Sequence, residues 1–517
     1  MSTDGDWFAV SRAGFESLVG FLDGAEAAGL EHAHLEEEVA TRGRKLLRQL
    51  TQDHLDVRAH REQRLAEVAD ADGVSRPHVE TGHARALTTV FGEVTVTRLA
   101  YRARGLANLH PADAQLNLPV EKHSHGLRRL AAVEAARGSF DDAAAAIGRG
   151  TGVGLGKRQT EQLAAAAAAD FAAFYDQRRP TPENPSDTDD PGKASDTDDT
   201  DAEDPVLVLS YDGKGVVMRP DALRPATAKA AESATTKLKT RLSKGEKPHR
   251  KRLATVGAVY HAAPAPRTPA DILTRSDDPS HPKPRPPVAT NKWLTASVTD
   301  DAATVIATVF DEAERRDPAH QRSWVVLVDG NKHQIDRTHA EAHTRGITDI
   351  TIMVDFVHVL EYLWKAAWCF HPEADPAAED WVRDKATAVL NGNASQVATG
   401  IRRLATRRGL TASQRASADD AARYLTAKAP YLDYPTALQA GWPIATGVIE
   451  GACRHLVKDR MDLTGARWGL DGAEAILKLR ALHSNGDFEQ YWRYHLERER
   501  HRHHEIRYLN AAIPRAA

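Results

Sequence analysis

The stretch 323–364, SWVVLVDGNKHQIDRTHAEAHTRGITDITIMVDFVHVLEYLW, switches hydrophobic period along its length. SWVVLVDGN is a Val-rich run closed by Asp329-Gly330, the pattern of a buried strand. THAEAHTRGI is helical, TDITIMVDF is again a short apolar strand, and VHVLEYLWKAAWCF repeats apolar residues at three and four. Strand, helix, strand, helix in this order points to an α/β core in which helices cover a sheet.

Working outward, VLVLSYDGKGVVMRP at 206–220 reads as a strand closed by a turn at Asp212-Gly213 and a returning strand. LATVGAVYHA is a further strand, and TDDAATVIATVFDEAERR an amphipathic helix. Residues 376–440 read as an all-helical insertion, and TGVIEGACRHLVKDRM opens one more helix. The resulting string is β-β-β-α-β-α-β-α, a helical block, then α. Three consecutive strands with tight turns followed by αβαβ imply a mixed sheet covered by helices. That order matches a ribonuclease-H-like α/β core.

Residues 1–80 read as helical, and ALTTVFGEVTVTRLAYRA alternates around Gly92 as a β-hairpin near 86–104, so 1–120 form a mainly α-helical N-terminal region. Within 121–179, GLRRLAAVEAARG, the short helix after Ser139 and a long helix opening with Lys157, Arg158 and Gln159 resemble a helix-turn-helix. Residues 180–204, rich in Pro, Ser, Thr and Asp, predict a disordered acidic linker. The remaining divisions are 205–375 and 441–490 for the two parts of the core and 491–517 for a charged tail, in which HLERERHRHHE reads as a solvated helix face.

The 517 residues suggest about three domains. A net charge of -4 announces no polyanion binder, so charge has to be read locally. Two cysteines, Cys369 and Cys453, exclude a disulfide framework and zinc-type Cys pairs. The N-terminus lacks a basic region followed by an apolar run, and no apolar stretch is long enough for a membrane helix. The expectation is a cytoplasmic, nucleoid-associated protein with no membrane contact.

Asp212 and Asp329 each close an apolar strand. Asp-Gly is a good turn former, so either one alone has a structural explanation. On adjacent strands, however, two such carboxylates repel unless a cation lies between them, and hard divalent cations prefer oxygen ligands. Glu450 is the candidate third acid; on its own it reads as an i,i+4 partner of Arg454. Glu361 is its rival. Asp355 and His358 share a helix face at i,i+3, as supporting residues or as a helix cap and a core histidine.

These residues resemble the insertion-sequence DDE transposases of the Mutator-like kind, in particular the Kra-type group of bacterial insertion sequences. The resemblance rests on SYDGKG, VLVDGN, VDFVHVLEYLW, GVIEGACRHLVKDRMDLTGARW and the hairpin TTVFGEVTVTRLAYR, and covers most of the chain. It implies a ribonuclease-H-like core interrupted by a helical insertion. Asp212, Asp329 and Glu450 would be its catalytic, metal-binding triad for two Mg2+ ions (with Mn2+ as a substitute), and Asp355 and His358 supporting residues. The implied activity is cleavage of insertion-sequence ends and transfer of the 3′-hydroxyl strand to target DNA, during DNA transposition and recombination. The alternatives are a stand-alone nuclease of the same fold and an inert domesticated DNA-binding protein. The implied partners are double-stranded DNA, both element ends and target, and further copies of the chain. DNA contacts are expected from Lys157, Arg158 and Gln159, from Lys237, Lys239, Arg241, Arg250, Lys251 and Arg252, and from Arg467 and Trp468.

Overall fold

A computed structural model of the chain describes residues 6–178, 205–233, 250–274, 284–463 and 465–515. The acidic linker at 180–204 and the basic residues Lys237, Lys239 and Arg241 lie outside the described residues. The chain divides into two units, Met1–Phe174 with Gly486–Ala517, and Tyr175–Asn485. Among the described residues, no helix is long and apolar enough to cross a membrane.

In the first unit, helix His32–Arg61 packs on helix Ala9–Asp23 and on the second strand of a hairpin, β1 (His78–Thr89) and β2 (Gly92–Arg102). The helical reading of residues 1–80 is therefore too long. The helix stops at Arg61, where Glu62 is extended, and further on the Asp70 carboxylate accepts the N–H groups of Asp72 and Val74 in a turn that Gly73 completes at φ 76°. Helices His125–Arg137, Phe140–Thr151 and Lys157–Ala167 follow, with Gly152 left-handed at φ 73° between the last two. The long helix expected from Lys157 onward breaks after Ala167. The Tyr491 hydroxyl donates to Ala167 O at 2.6 Å and accepts from Asp170 N at 3.3 Å, entering the helical ladder at that point. Tyr491 belongs to helix Phe488–His503, so the end of the chain is part of this unit. The solvated face expected at HLERERHRHHE is in part buried. His495 is 0% and Glu499 6% exposed, because Asp170 and Arg128 meet them.

The second unit holds a five-stranded mixed sheet in the order β5-β4-β3-β6-β7, formed by β3 (Val206–Val217), β4 (Lys251–Ala262), β5 (Ala289–Ser297), β6 (Trp324–Val328) and β7 (Ile350–Val354). β3, β4 and β5 pair antiparallel; β6 runs parallel to β3 and β7 parallel to β6. Three strands precede the first long helix, as expected, and two of them, the run from Val206 and LATVGAVYHA, lie where expected, but the returning strand after Gly213 is not a separate one. Asp212-Gly213 makes no turn: β3 continues through it, with Asp212 opposite Val256 and Gly213 opposite Thr255. Gly213 sits beneath the Leu253 side chain of the neighbouring strand, whose tip would lie 2.9 Å from a Cβ there. The remaining strand is β5, NKWLTAS and its flanks, which lacks strict alternation because WLTAS is buried on both faces. The connections among these strands are long rather than tight.

Helix Ala302–Arg316 covers β4, approaching it closely over Gly257. Helix Lys332–Thr344 joins β6 to β7, and helix Phe356–Ala367 follows β7. The block expected at 376–440 consists of helices Pro376–Leu390, Ala394–Arg407, Ala412–Lys428 and Tyr434–Gln439. Its apolar residues are continuous with the core of the sheet.

Candidate functional site

β3, β6 and β7 run in one direction and carry their acids at one level. Continuing the pairing of Ser210 with Leu327 along both strands brings Asp212 beside Asp329. Continuing Val328 with Val354 brings Asp329 beside Asp355. The pattern of an apolar strand followed by aspartate thus occurs on neighbouring strands, as the quoted stretches suggest.

Each acid is fixed differently. Asp212, half-buried, accepts from Gly213 N at 2.6 Å and from the Cys453 thiol at 3.5 Å. Burial, and then the Asp212 charge, push the Cys453 thiol well above its ordinary range, so it remains a proton donor. Asp329 accepts from Asn331 N at 2.7 Å through Oδ1, and its Oδ2 has no protein partner among the described residues. Asp355 is 0% exposed and caps helix Phe356–Ala367, accepting from Val357 N at 2.8 Å. Its other oxygen receives the Thr446 hydroxyl and lies 3.2 Å from His358 Nδ1. The Asp355 hydrogen bond raises the His358 pKa against the opposing effect of burial, and the charges of Asp355, Glu361 and Asp329 add to the rise.

Glu450 lies in the first turn of helix Gly447–Ala452, exposed, directly after the Thr446 that binds Asp355. One ligand atom each from Asp355, His358 and Glu450 lie within 4.8 Å of one another. Glu361 is not in that group; it points to Lys365 at 3.9 Å. The expected Glu450–Arg454 pair does not form, and Arg454 instead lies 3.7 Å from Asp459. The cause is local: Cys453–Lys458 is a π-helical turn, which widens the helix and shifts the i,i+4 register.

Among the described residues, the group whose ligand atoms could hold a metal ion is Asp355, His358 and Glu450; Asp212 and Asp329 are not brought into it, and Asp355 also accepts the hydrogen bonds that cap its helix and tie it to Thr446. Thr446 and Cys453, which hold two of the acids, were not singled out from the sequence. Their partners are distant along the chain, and only their places beside Glu450 could have drawn attention to them.

The expected DNA contacts divide sharply. In the first unit, Lys157 Nζ is paired with Asp141 at 2.6 Å, Gln159 accepts from Gly156 N at 3.0 Å, and Arg158 is exposed. In the second, Arg250, Lys251 and Arg467 are exposed, whereas Arg252 donates to Val298 O at 2.7 Å. Trp468 is excluded as a contact. It is 5% exposed, its N–H donates to Val217 O at 3.1 Å as a bridge to the end of β3, and its indole donates to Met461 O at 3.0 Å.

No protein-family model matches this chain, and no curated protein matches it. The functional reading therefore rests on residues and geometry.

Proposed function

We propose that this chain is a metal-dependent DNA transposase of the DDE kind with a ribonuclease-H-like core. The observation that carries the proposal is the row of Asp212, Asp329 and Asp355 on three parallel neighbours, with Glu450 drawn to the same end of the sheet. The sheet order, three antiparallel strands followed by two parallel ones, and the helical block ahead of the Glu450 helix also agree with that core.

In this reading Asp212, Asp329 and Glu450 would hold two Mg2+ ions, whose bound charge would supply neutralisation at the scissile phosphate and a lowered pKa for the attacking water or 3′-hydroxyl. Asp355 fixes the spacing of the site by tying helix Phe356–Ala367 to Thr446, ahead of Glu450. His358, kept protonated more readily by Asp355, places positive charge beside Glu450. Exposed Arg158, Arg250, Lys251 and Arg467 hold DNA phosphates, with affinity that falls as salt rises. The DNA is double-stranded, and pairing of two element ends calls for more than one copy of the chain.

The test is cleavage of a DNA fragment carrying the gene's own flanking ends, with Mg2+ or with EDTA. Metal-dependent nicking at the 3′ end of the element, followed by joining to a second DNA, is the expected result. Binding without any cleavage would overturn the enzymatic reading.

A further inference from the structure

Two tyrosines of the helical block reach main-chain carbonyls beneath the acids. Tyr424 Oη donates to Asp329 O at 3.1 Å, and Tyr434 Oη donates to Val354 O, directly before Asp355, at 2.8 Å. Both rings are held by the helix that carries His358. Tyr362 stacks on Tyr424 at 4.0 Å and 17°, and Phe356 meets Tyr434 edge-on at 5.3 Å and 79°. The turn after Asp329 is shaped around the first hydroxyl: Gly330 has φ +91°, and a Cβ there would lie 2.7 Å from Tyr424 Oη. Burial raises both phenols far above their ordinary range, so each hydroxyl keeps its proton and can act only as a neutral brace.

We infer that Tyr424 and Tyr434 are positioning residues, through which the helical block sets the spacing of the Asp329 and Asp355 carboxylates for the metal site. The inference rests on the reading of Asp329 as a metal ligand. It assigns the block a task beyond filling sequence between β7 and Glu450. Each hydroxyl acts through the carbonyl it binds.

The test uses the full chain with Tyr424→Phe and Tyr434→Phe, which keep the rings and remove only the hydroxyls. Mn2+ binding is read by electron paramagnetic resonance, and amide exchange is read by mass spectrometry without metal over the segments around Asp329 and Asp355. Loss of one such bond predicts roughly tenfold weaker Mn2+ binding. Faster exchange should be confined to the turn after Asp329 for Tyr424→Phe and to the start of the helix after Asp355 for Tyr434→Phe. Gly330→Ala should reproduce the Tyr424→Phe pattern. Wild-type exchange and wild-type Mn2+ affinity in both variants would overturn the inference. Absence of Mn2+ binding by the wild type, with exchange still locally faster in the variants, would remove the metal reading and leave the bracing in place.

Discussion

The two units of this chain are stabilised in different ways. The second has a large continuous apolar cluster running from the sheet through the helical block, including Leu209, Val326, Ile306 and Ile401, all 0% exposed. The first has small separate clusters, such as Leu127, Ala131, Ile147, Val153 and Leu163, alongside buried ion pairs between Arg128 and Glu499 and between Arg98 and Asp113; the second also buries a pair, Glu312 with Arg316, but beside a far larger apolar core. An apolar core is indifferent to pH and tolerates no voids; a partly ionic one is more forgiving of shape but depends on every partner being present and correctly charged. In the proposed reading, the unit that must hold carboxylates in register is the one with the apolar core.

The comparison can be broken most directly at the site. Asp329→Asn should reduce DNA cleavage on the order of a thousandfold, since several kcal/mol of transition-state stabilisation would be lost. The variant should melt like the wild type in calorimetry, and equal cutting by both proteins would sink the assignment of Asp329. Next is Arg128→Met, which takes the 2.6 Å partner from buried Glu499 and leaves it only Arg502 at 3.8 Å and His503 at 3.5 Å, and should cost about 3 kcal/mol in denaturant titration of the first unit. Adding Glu499→Leu should recover most of that loss; failure to recover it would mean the pair is not what holds this region. Leu209→Ala in the second unit should cost about 2–5 kcal/mol, and Leu163→Ala in the first should fall at the low end, because a small cluster can relax around the void. Equal losses would erase the contrast.

The smallest effect is on pH dependence. Burial, assisted by the neighbouring Arg128 charge, lowers His125 from 6.5 to about 4. The unfolded chain then binds more protons than the folded one, so His125 contributes stability that is complete above 6.5 and is lost as pH falls toward about 4. His125→Gln should flatten the acid side of the first unit's stability profile. His358 in the second unit has the opposite sign. Its raised pKa gives stability that is complete below 6.5 and is lost as pH rises through the folded value. A His358→Gln variant with an unchanged alkaline profile would show that the Asp355 contact is not maintained in solution.

How much was legible in the sequence followed the range of the interactions. Short apolar runs closed by aspartate located β6, β7, Asp329 and Asp355, because burial of a parallel strand leaves a local mark. Asp212 was found for a partly mistaken reason: its glycine lies within a continuous strand, beneath Leu253, and not in a turn. β5 was missed because a strand buried on both faces has no alternation to recognise. The contacts of Cys453 with Asp212, Thr446 with Asp355 and Tyr424 with Asp329 join residues far apart in the chain, and no spacing rule reports them. Trp468, expected as a DNA contact only through the family resemblance, is buried because its backbone pairs with the end of β3, a long-range contact that no local pattern reports.

The return of Gly486–Ala517 to the first unit has a consequence for biosynthesis. Chains usually complete their domains in the order they leave the ribosome. Here Arg128 and Asp170 are made early, while Glu499, His495 and Arg502, which neutralise them, are made last. The unit that begins first is therefore finished second. Until the final helix emerges, Arg128 and Asp170 lack these partners, and a chain cut short before Phe488 would leave the first unit without them while retaining every residue of the second.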